Sequence, residues 1–281
     1  MKIIRSIKKL FARPVGKRSV HYPGALPNVL ILGFPKCGTH ALLHNLGTHP
    51  DIHFSPDEFD YFGNPRKSLE EYTSLFRADS LFNLEKSPYY VLNEQAVRHI
   101  AEMRRDAKLI VCLRHPVQFA HSFYNFRVLE HEAGYQPAFD PIRFSFENIV
   151  LEDLDVTGFN IEQGCYFKHI ETNLLPHFSR QQVYFVIQER MHSKMQSEMK
   201  NVFEYLDLDS QNLSFGEKLR QHDAGFRYPR IAYDTDRYRV ALEKLISLYA
   251  PWNEKLYDFL GTDIPEWKPF DDMYRSLLDS G

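Results

Sequence analysis

Residues Gly33-Phe34-Pro35-Lys36-Cys37-Gly38-Thr39-His40 follow directly on the apolar run Val29-Leu30-Ile31-Leu32. That order predicts a strand, a tight glycine-bounded loop and the opening of a helix. Such a loop aims backbone N–H groups and a helix N-terminus at one point, which suits a phosphate or sulfate. Lys36 adds a point charge, and Thr39 a hydroxyl that can cap the helix or bond an oxyanion. Walker A ends in Gly-Lys-Ser/Thr, whereas lysine here precedes Cys37 and Gly38. The loop therefore points to an anionic, nucleotide-like ligand and away from ordinary ATP or GTP hydrolysis. A second junction, Arg114-His115-Pro116, has Ser122 two helical turns further on. An arginine fork with a nearby hydroxyl can hold a second phosphate. The bland reading of the same residues is an arginine paired with a local carboxylate and a proline that starts a helix.

The elements that must position these groups alternate. Strands are predicted at 28–32, 81–84, 108–113 and 182–187. Helices are predicted at 39–47, 68–77, 93–105, 116–132, 142–153, 165–177, 193–207, 236–248 and 251–260, the last two closing the chain. The turn-rich stretch from Pro50 to Pro65 reads as loop or short elements, and 210–235 as irregular. Strands alternating with helices predict an α/β fold: a single domain with a central parallel sheet flanked by helices. In such sheets ligands sit beyond the carboxyl ends of the strands, and Lys36, Lys86 and Arg114 each follow a predicted strand.

At 281 residues, 43% hydrophobic and 25% charged, the chain has the composition of a globular protein. A net charge of −3 argues against a general nucleic-acid binder. The charge is uneven: no Asp or Glu precedes Asp51, while Lys2, Arg5, Lys8, Lys9, Arg13, Lys17, Arg18 and Lys36 all do. Residues 1–26 thus form a basic arm ahead of a domain over 27–281. Within the arm, Ile3, Ile4, Ile7, Leu10 and Phe11 fall on one helical face opposite Lys2, Arg5, Lys8 and Lys9, a pattern that suits peripheral contact with an anionic membrane. The other reading is a helix packed on its own domain, or a frayed terminus. No run is long and apolar enough for a transmembrane helix, and no secretory h-region stands out. Three cysteines, Cys37, Cys112 and Cys165, make no disulfide framework, and no Cys/His cluster has zinc spacing. The expected location is the cytoplasm, with peripheral contact at the inner membrane face, and no metal is expected.

The ordered set of motifs resembles the sulfotransferases that use 3′-phosphoadenosine 5′-phosphosulfate (PAPS), and most of all their heparan-sulfate N- and 3-O-sulfotransferase branch. Pro35-Lys36-Cys37-Gly38-Thr39, with His40, is similar to the family's 5′-phosphosulfate loop. Arg114-His115-Pro116 through Ser122-Phe123-Tyr124 is similar to its 3′-phosphate element. Glu85-Lys86-Ser87-Pro88-Tyr89-Tyr90 and Glu58-Phe59-Asp60-Tyr61-Phe62 resemble motifs of the heparan-sulfate branch. Gly164, Tyr166 and His169, then Val186-Ile187-Gln188-Glu189-Arg190, then Tyr249 to Leu260, continue the likeness in order.

The resemblance implies the P-loop-like sulfotransferase fold and transfer of a sulfuryl group from PAPS to a hydroxyl or amine acceptor, carbohydrate or glycolipid, leaving 3′-phosphoadenosine 5′-phosphate (PAP). It implies Glu58 as general base, Lys36 stabilising charge on the leaving phosphate, and Lys86 facing the transferred sulfuryl group or the acceptor. By spacing alone Glu58 reads as a surface glutamate beside Asp57 and Asp60, Lys86 could instead pair with Glu85 or Glu58, and His53 or His40 is the fallback base. It implies Pro35 to His40, Arg114, Ser122, Tyr166, Gly225 and Arg227 as cofactor contacts. Gly225 and Arg227 depart from the branch's Lys-Gly-Arg loop: the lysine is absent and the arginine stands one place later. The paired C-terminal cysteines of the animal enzymes are also absent, so an animal glycosaminoglycan acceptor does not carry over. A nucleotide kinase and a non-catalytic PAP- or anion-binding protein are the alternatives.

Overall fold

A computed structural model of the chain describes residues 25–55, 58–64, 66–209 and 235–279. The basic arm before residue 25, and Gly225 and Arg227, lie outside the described residues. Five strands form one sheet: β1 (Val29–Gly33), β2 (Ile52–Phe54), β3 (Phe82–Lys86), β4 (Lys108–Leu113) and β5 (Val183–Ile187). The order is β2-β3-β1-β4-β5, and every pairing is parallel. β1 is buried along its whole length, and β4 and β5 almost so, as expected of Val/Ile/Leu runs covered on both faces.

Helix α1 (Thr39–Leu46) follows β1, and α2 (Leu69–Ser74), capped by Ser68, precedes β3. Asn93 caps α3 (Glu94–Met103) through the amides of Gln95 and Ala96. Pro116 opens α4 (Pro116–Glu132), where its missing N–H costs nothing. The remaining helices are α5 (Phe146–Leu151), α6 (Tyr166–His169), α7 (Gln188–Ser193), α8 (Met195–Leu206), α9 (Asp236–Leu260) and α10 (Lys268–Asp279). Among the described residues no helix is long and apolar enough to cross a membrane.

Four differences from the expected elements have physical causes. Lys86 is the last residue of β3 rather than part of the loop after it, and its side chain is buried. The 50–65 stretch contributes the short strand β2, which pairs only with β3 and carries too few residues to show a period. The helix expected over 165–177 runs as α6 and then widens into a π-helix over Ile170–Leu174. The two C-terminal helices are one: Pro251 lies inside α9, where its lost hydrogen bond is outweighed by packing of Leu245, Tyr249 and Leu256 on either side. Beyond it α10 closes the described chain, docked by the buried Trp267 and Tyr274.

Candidate active site

β1 lies at the middle of the sheet with β3 on one side and β4 on the other. The chain leaves β1 towards β2 and β3, then crosses to β4, so the carboxyl ends around β1 form a switch-point crevice. Lys36 follows β1, Lys86 ends β3 and Arg114 follows β4, so the three charged groups project from adjacent strands.

The loop after β1 is built for close approach to an anion. Lys36 and Gly38 both adopt left-handed backbone, φ 63° and 86°, with Cys37 between them. Gly38 caps α1 without a side chain, so no side-chain cap occupies the first-turn amides. A Cβ at Gly38 would also meet Gln188 Cγ at 3.2 Å, which keeps that turn small. Arg114 braces the loop by donating from Nη1 to the Lys36 carbonyl at 3.2 Å, and among the described residues it forms no ion pair with a carboxylate. The amides, the Lys36 ammonium and the Arg114 guanidinium make a cationic donor set of the kind a bis-anionic nucleotide needs, and Ser122 is buried on α4, the helix that follows Arg114.

Lys36 Nζ lies over the Phe126 ring, 3.8 Å from its centroid. Burial, then the neighbouring Arg114 charge, pull its pKa down to about 8. Ser122 and Phe126 share a face of α4 at i, i+4, a spacing that could have placed Phe126 at the loop from the sequence. Arg127, stacked on Phe123 and paired with Glu130, is a further cleft residue that motif reasoning did not single out.

On the other side of β1, Lys86 pairs with Glu58, whose carboxylate is half-exposed while the lysine is buried. Glu58 is therefore held at the carboxyl end of the sheet by its ion pair with the last residue of β3. His53 donates from Nε2 to the Leu75 carbonyl at 2.9 Å, which ties its ring to the backbone. His40 and His44, one turn apart on α1, share a contact of 3.0 Å between their Nε2 atoms. Burial, then His40, then Lys86 hold His44 below its ordinary pKa, which puts this pair on the Lys86 side of the cleft.

Tyr166 and Cys37 pack against each other in the interior. The Tyr166 hydroxyl meets Cys37 Sγ at 3.6 Å and its ring packs on Phe34 at 4.5 Å, fully buried beneath the loop. Tyr166 props the loop from below through Cys37 and Phe34. Cys37 is likewise buried, and burial pushes its thiol up to about 12, so the residue serves the turn rather than nucleophilic chemistry. Behind Arg114, Glu189 accepts the His115 amide at 2.9 Å and the Trp267 indole N–H at 3.1 Å, while His115 Nε2 meets Asp271 Oδ1 at 3.1 Å. The second junction is thus braced by α10, which motif spacing did not reveal.

Residues 26–227 match the sulfotransferase domain. The chain belongs to the sulfotransferase family. It is 31% identical over 257 residues to human heparan sulfate glucosamine 3-O-sulfotransferase 3B1, covering 85% of this chain and 64% of that protein. It is 28% identical over 278 residues to the bifunctional heparan sulfate N-deacetylase/N-sulfotransferase 1 of Caenorhabditis elegans, covering 86% of this chain and 31% of the nematode protein. The chain thus spans less than two thirds of the length of these relatives. A sulfotransferase from Alicyclobacillus acidocaldarius superposes with a TM-score of 0.69 at 20% identity, over 87% of this chain and 99% of that one. The sheet and its flanking helices have the P-loop-like sulfotransferase fold. The match to the family places the likeness where the motifs lie, from the β1 loop through Arg227.

Proposed function

We propose that residues 27–281 act as one PAPS-dependent sulfotransferase domain that modifies a hydroxyl or amine on a carbohydrate or glycolipid acceptor. The observation that carries this reading is the convergence of the Lys36 loop, the Lys86–Glu58 pair and Arg114 at the ends of three adjacent strands. The family match and the heparan-sulfate relatives support sulfuryl over phosphoryl transfer. PAPS, when bound, supplies the sulfuryl group and leaves as PAP.

The chain's own residues then have distinct tasks. The amides of the Gly38–His40 turn and the Lys36 ammonium hold the 5′-phosphosulfate end and stabilise charge that builds on the leaving phosphate oxygen. Arg114 and Ser122 hold the 3′-phosphate. Glu58 takes the acceptor O–H or N–H proton as the new bond to sulfur forms. Lys86 holds Glu58 in place and lies beside the group in transfer. No residue forms a covalent link, so catalysis rests on positioning and charge. We also infer that Gly225 and Arg227 complete the cofactor contacts. We infer further that the protein works in the cytoplasm, with the basic arm 2–11 resting on an anionic membrane surface.

The test is calorimetry with PAP, ATP and ADP, together with sulfuryl transfer from labelled PAPS to a panel of saccharides. PAP should bind and ATP should not. Glu58→Gln should lower kcat on the order of 10²–10⁴ while PAP affinity is kept. A fully active Glu58→Gln enzyme would move the proton to the His40–His44 pair, and ATP binding in place of PAP would overturn the reading.

A further inference from the structure

Three consecutive residues at the end of β3 grip one loop. Lys86 pairs with Glu58, and Ser87 Oγ donates to Asp60 Oδ1 at 3.3 Å. The side chain of Glu85 points to the opposite face of the strand, as strand geometry requires of neighbours. There it is buried between two tyrosines: Tyr72 and Tyr90 both donate their hydroxyls to it, Tyr90 at 2.8 Å to Oε1. Those tyrosines reach the same loop. The Tyr90 oxygen accepts the Phe62 N–H at 3.1 Å. The Tyr72 ring stacks on Tyr61, centroids 4.4 Å apart and planes 8° from parallel, and meets Phe62 edge-on at 5.5 Å. The loop that carries Glu58 is therefore held at its start by Lys86, in its middle by Ser87 and at its end by the tyrosines.

An ionised carboxylate only accepts hydrogen bonds. When Glu85 is ionised, both tyrosines turn their O–H groups inward. The lone pairs of Tyr90 are then left facing outward, towards the Phe62 N–H. An amide in place of Glu85 offers one acceptor oxygen and one donor nitrogen, so one tyrosine would have to reverse its hydroxyl. A misplacement of about 1 Å at a catalytic group can cost on the order of 10²-fold in rate, so the setting of this loop bears directly on proton transfer.

We propose that Glu85, acting through Tyr72 and Tyr90, is a positioning residue that sets the Glu58 loop against Lys86. This rests on the assignment of Glu58 as the base. Glu85 touches neither acceptor nor cofactor, so its effect appears in turnover and not in PAP binding.

The experiment compares Tyr90→Phe and Glu85→Gln with the wild type, alone and in the Glu58→Gln background. Tyr90→Phe keeps the ring and removes only the hydroxyl, so it serves if Glu85→Gln folds poorly. Each single variant should lower kcat about tenfold or more while PAP affinity stays within about twofold. In the Glu58→Gln background neither change should lower kcat further, because groups acting through one another are not additive. Hydrogen exchange over residues 58–64 should quicken in both variants. Wild-type kcat in both variants, or losses that multiply with Glu58→Gln, would overturn the proposal. If Glu58→Gln is itself fully active, the base assignment has failed and the exchange data decide: unchanged protection of 58–64 overturns the positioning role too.

Discussion

The ammonium of Lys36 is the group whose charge the nucleotide site can least spare, and its burial makes that charge titratable near neutrality. Burial and the adjacent Arg114 lower its pKa to about 8, so the free protein loses this cation as pH rises through that value. A ligand anion on the loop favours the protonated form, so binding should raise the pKa and draw a proton from solution. Between pH 7 and pH 9 the protonated fraction of a group titrating near 8 falls about tenfold. PAP affinity should fall by a similar factor, about tenfold, if only the charged lysine binds. The window above pH 7 is chosen because phosphate monoesters lose their second proton near ~6. Isothermal calorimetry at half-unit steps in two buffers of different ionisation enthalpy reads both affinity and proton uptake. At pH 8.5 uptake should approach about 0.8 proton per PAP bound. Lys36→Arg, which cannot lose its charge, should flatten the profile and abolish the uptake. A flat wild-type profile, or a slope that survives Lys36→Arg, would refute the placement of Lys36 on the ligand phosphate.

Other outcomes follow from the same geometry. Arg114→Ala should weaken PAP far more than adenosine 5′-phosphosulfate, which lacks the 3′-phosphate, and equal losses would displace Arg114 from that role. Burial holds the Glu85 carboxyl up at about 7 against an ordinary 4.5, opposed by the hydroxyls of Tyr72 and Tyr90. A raised folded-state pKa makes its contribution to stability full below about pH 4.5 and loses it as pH rises through 7, a change of about 3 kcal/mol. Denaturant titrations at pH 5 and pH 8 should show that loss in the wild type and not in Glu85→Gln. A chain starting at His21 should keep transfer to a soluble acceptor yet lose binding to anionic vesicles at low salt; equal vesicle binding by both lengths would remove the arm from that role.

Local chemistry was legible in the sequence wherever neighbours along the chain dictate it. The apolar runs of β1 and β4, Pro116 at the start of α4 and the glycine turn after Lys36 depend on backbone sterics and on burial of continuous apolar runs, which act over a few residues. The motif order alone was enough to pick out the family. Tertiary structure decided what those residues do to one another. Strand order is not encoded by any local period, yet it is the order β3-β1-β4 that makes Lys86, Lys36 and Arg114 neighbours. Which partner Lys86 takes, Glu58 or the adjacent Glu85, depends on strand alternation and on a loop arriving from 28 residues earlier. Tertiary packing also sets Tyr166 against Phe34 and Cys37, under the loop that follows β1, a contact between residues 129 positions apart. The bracing of the Arg114 junction by Trp267 and Asp271 spans some 150 residues of chain, and Asp271 stands 156 positions from His115. Such contacts form only when burial of apolar surface has closed the domain, because hydrophobic burial is non-directional and carries no sequence separation of its own.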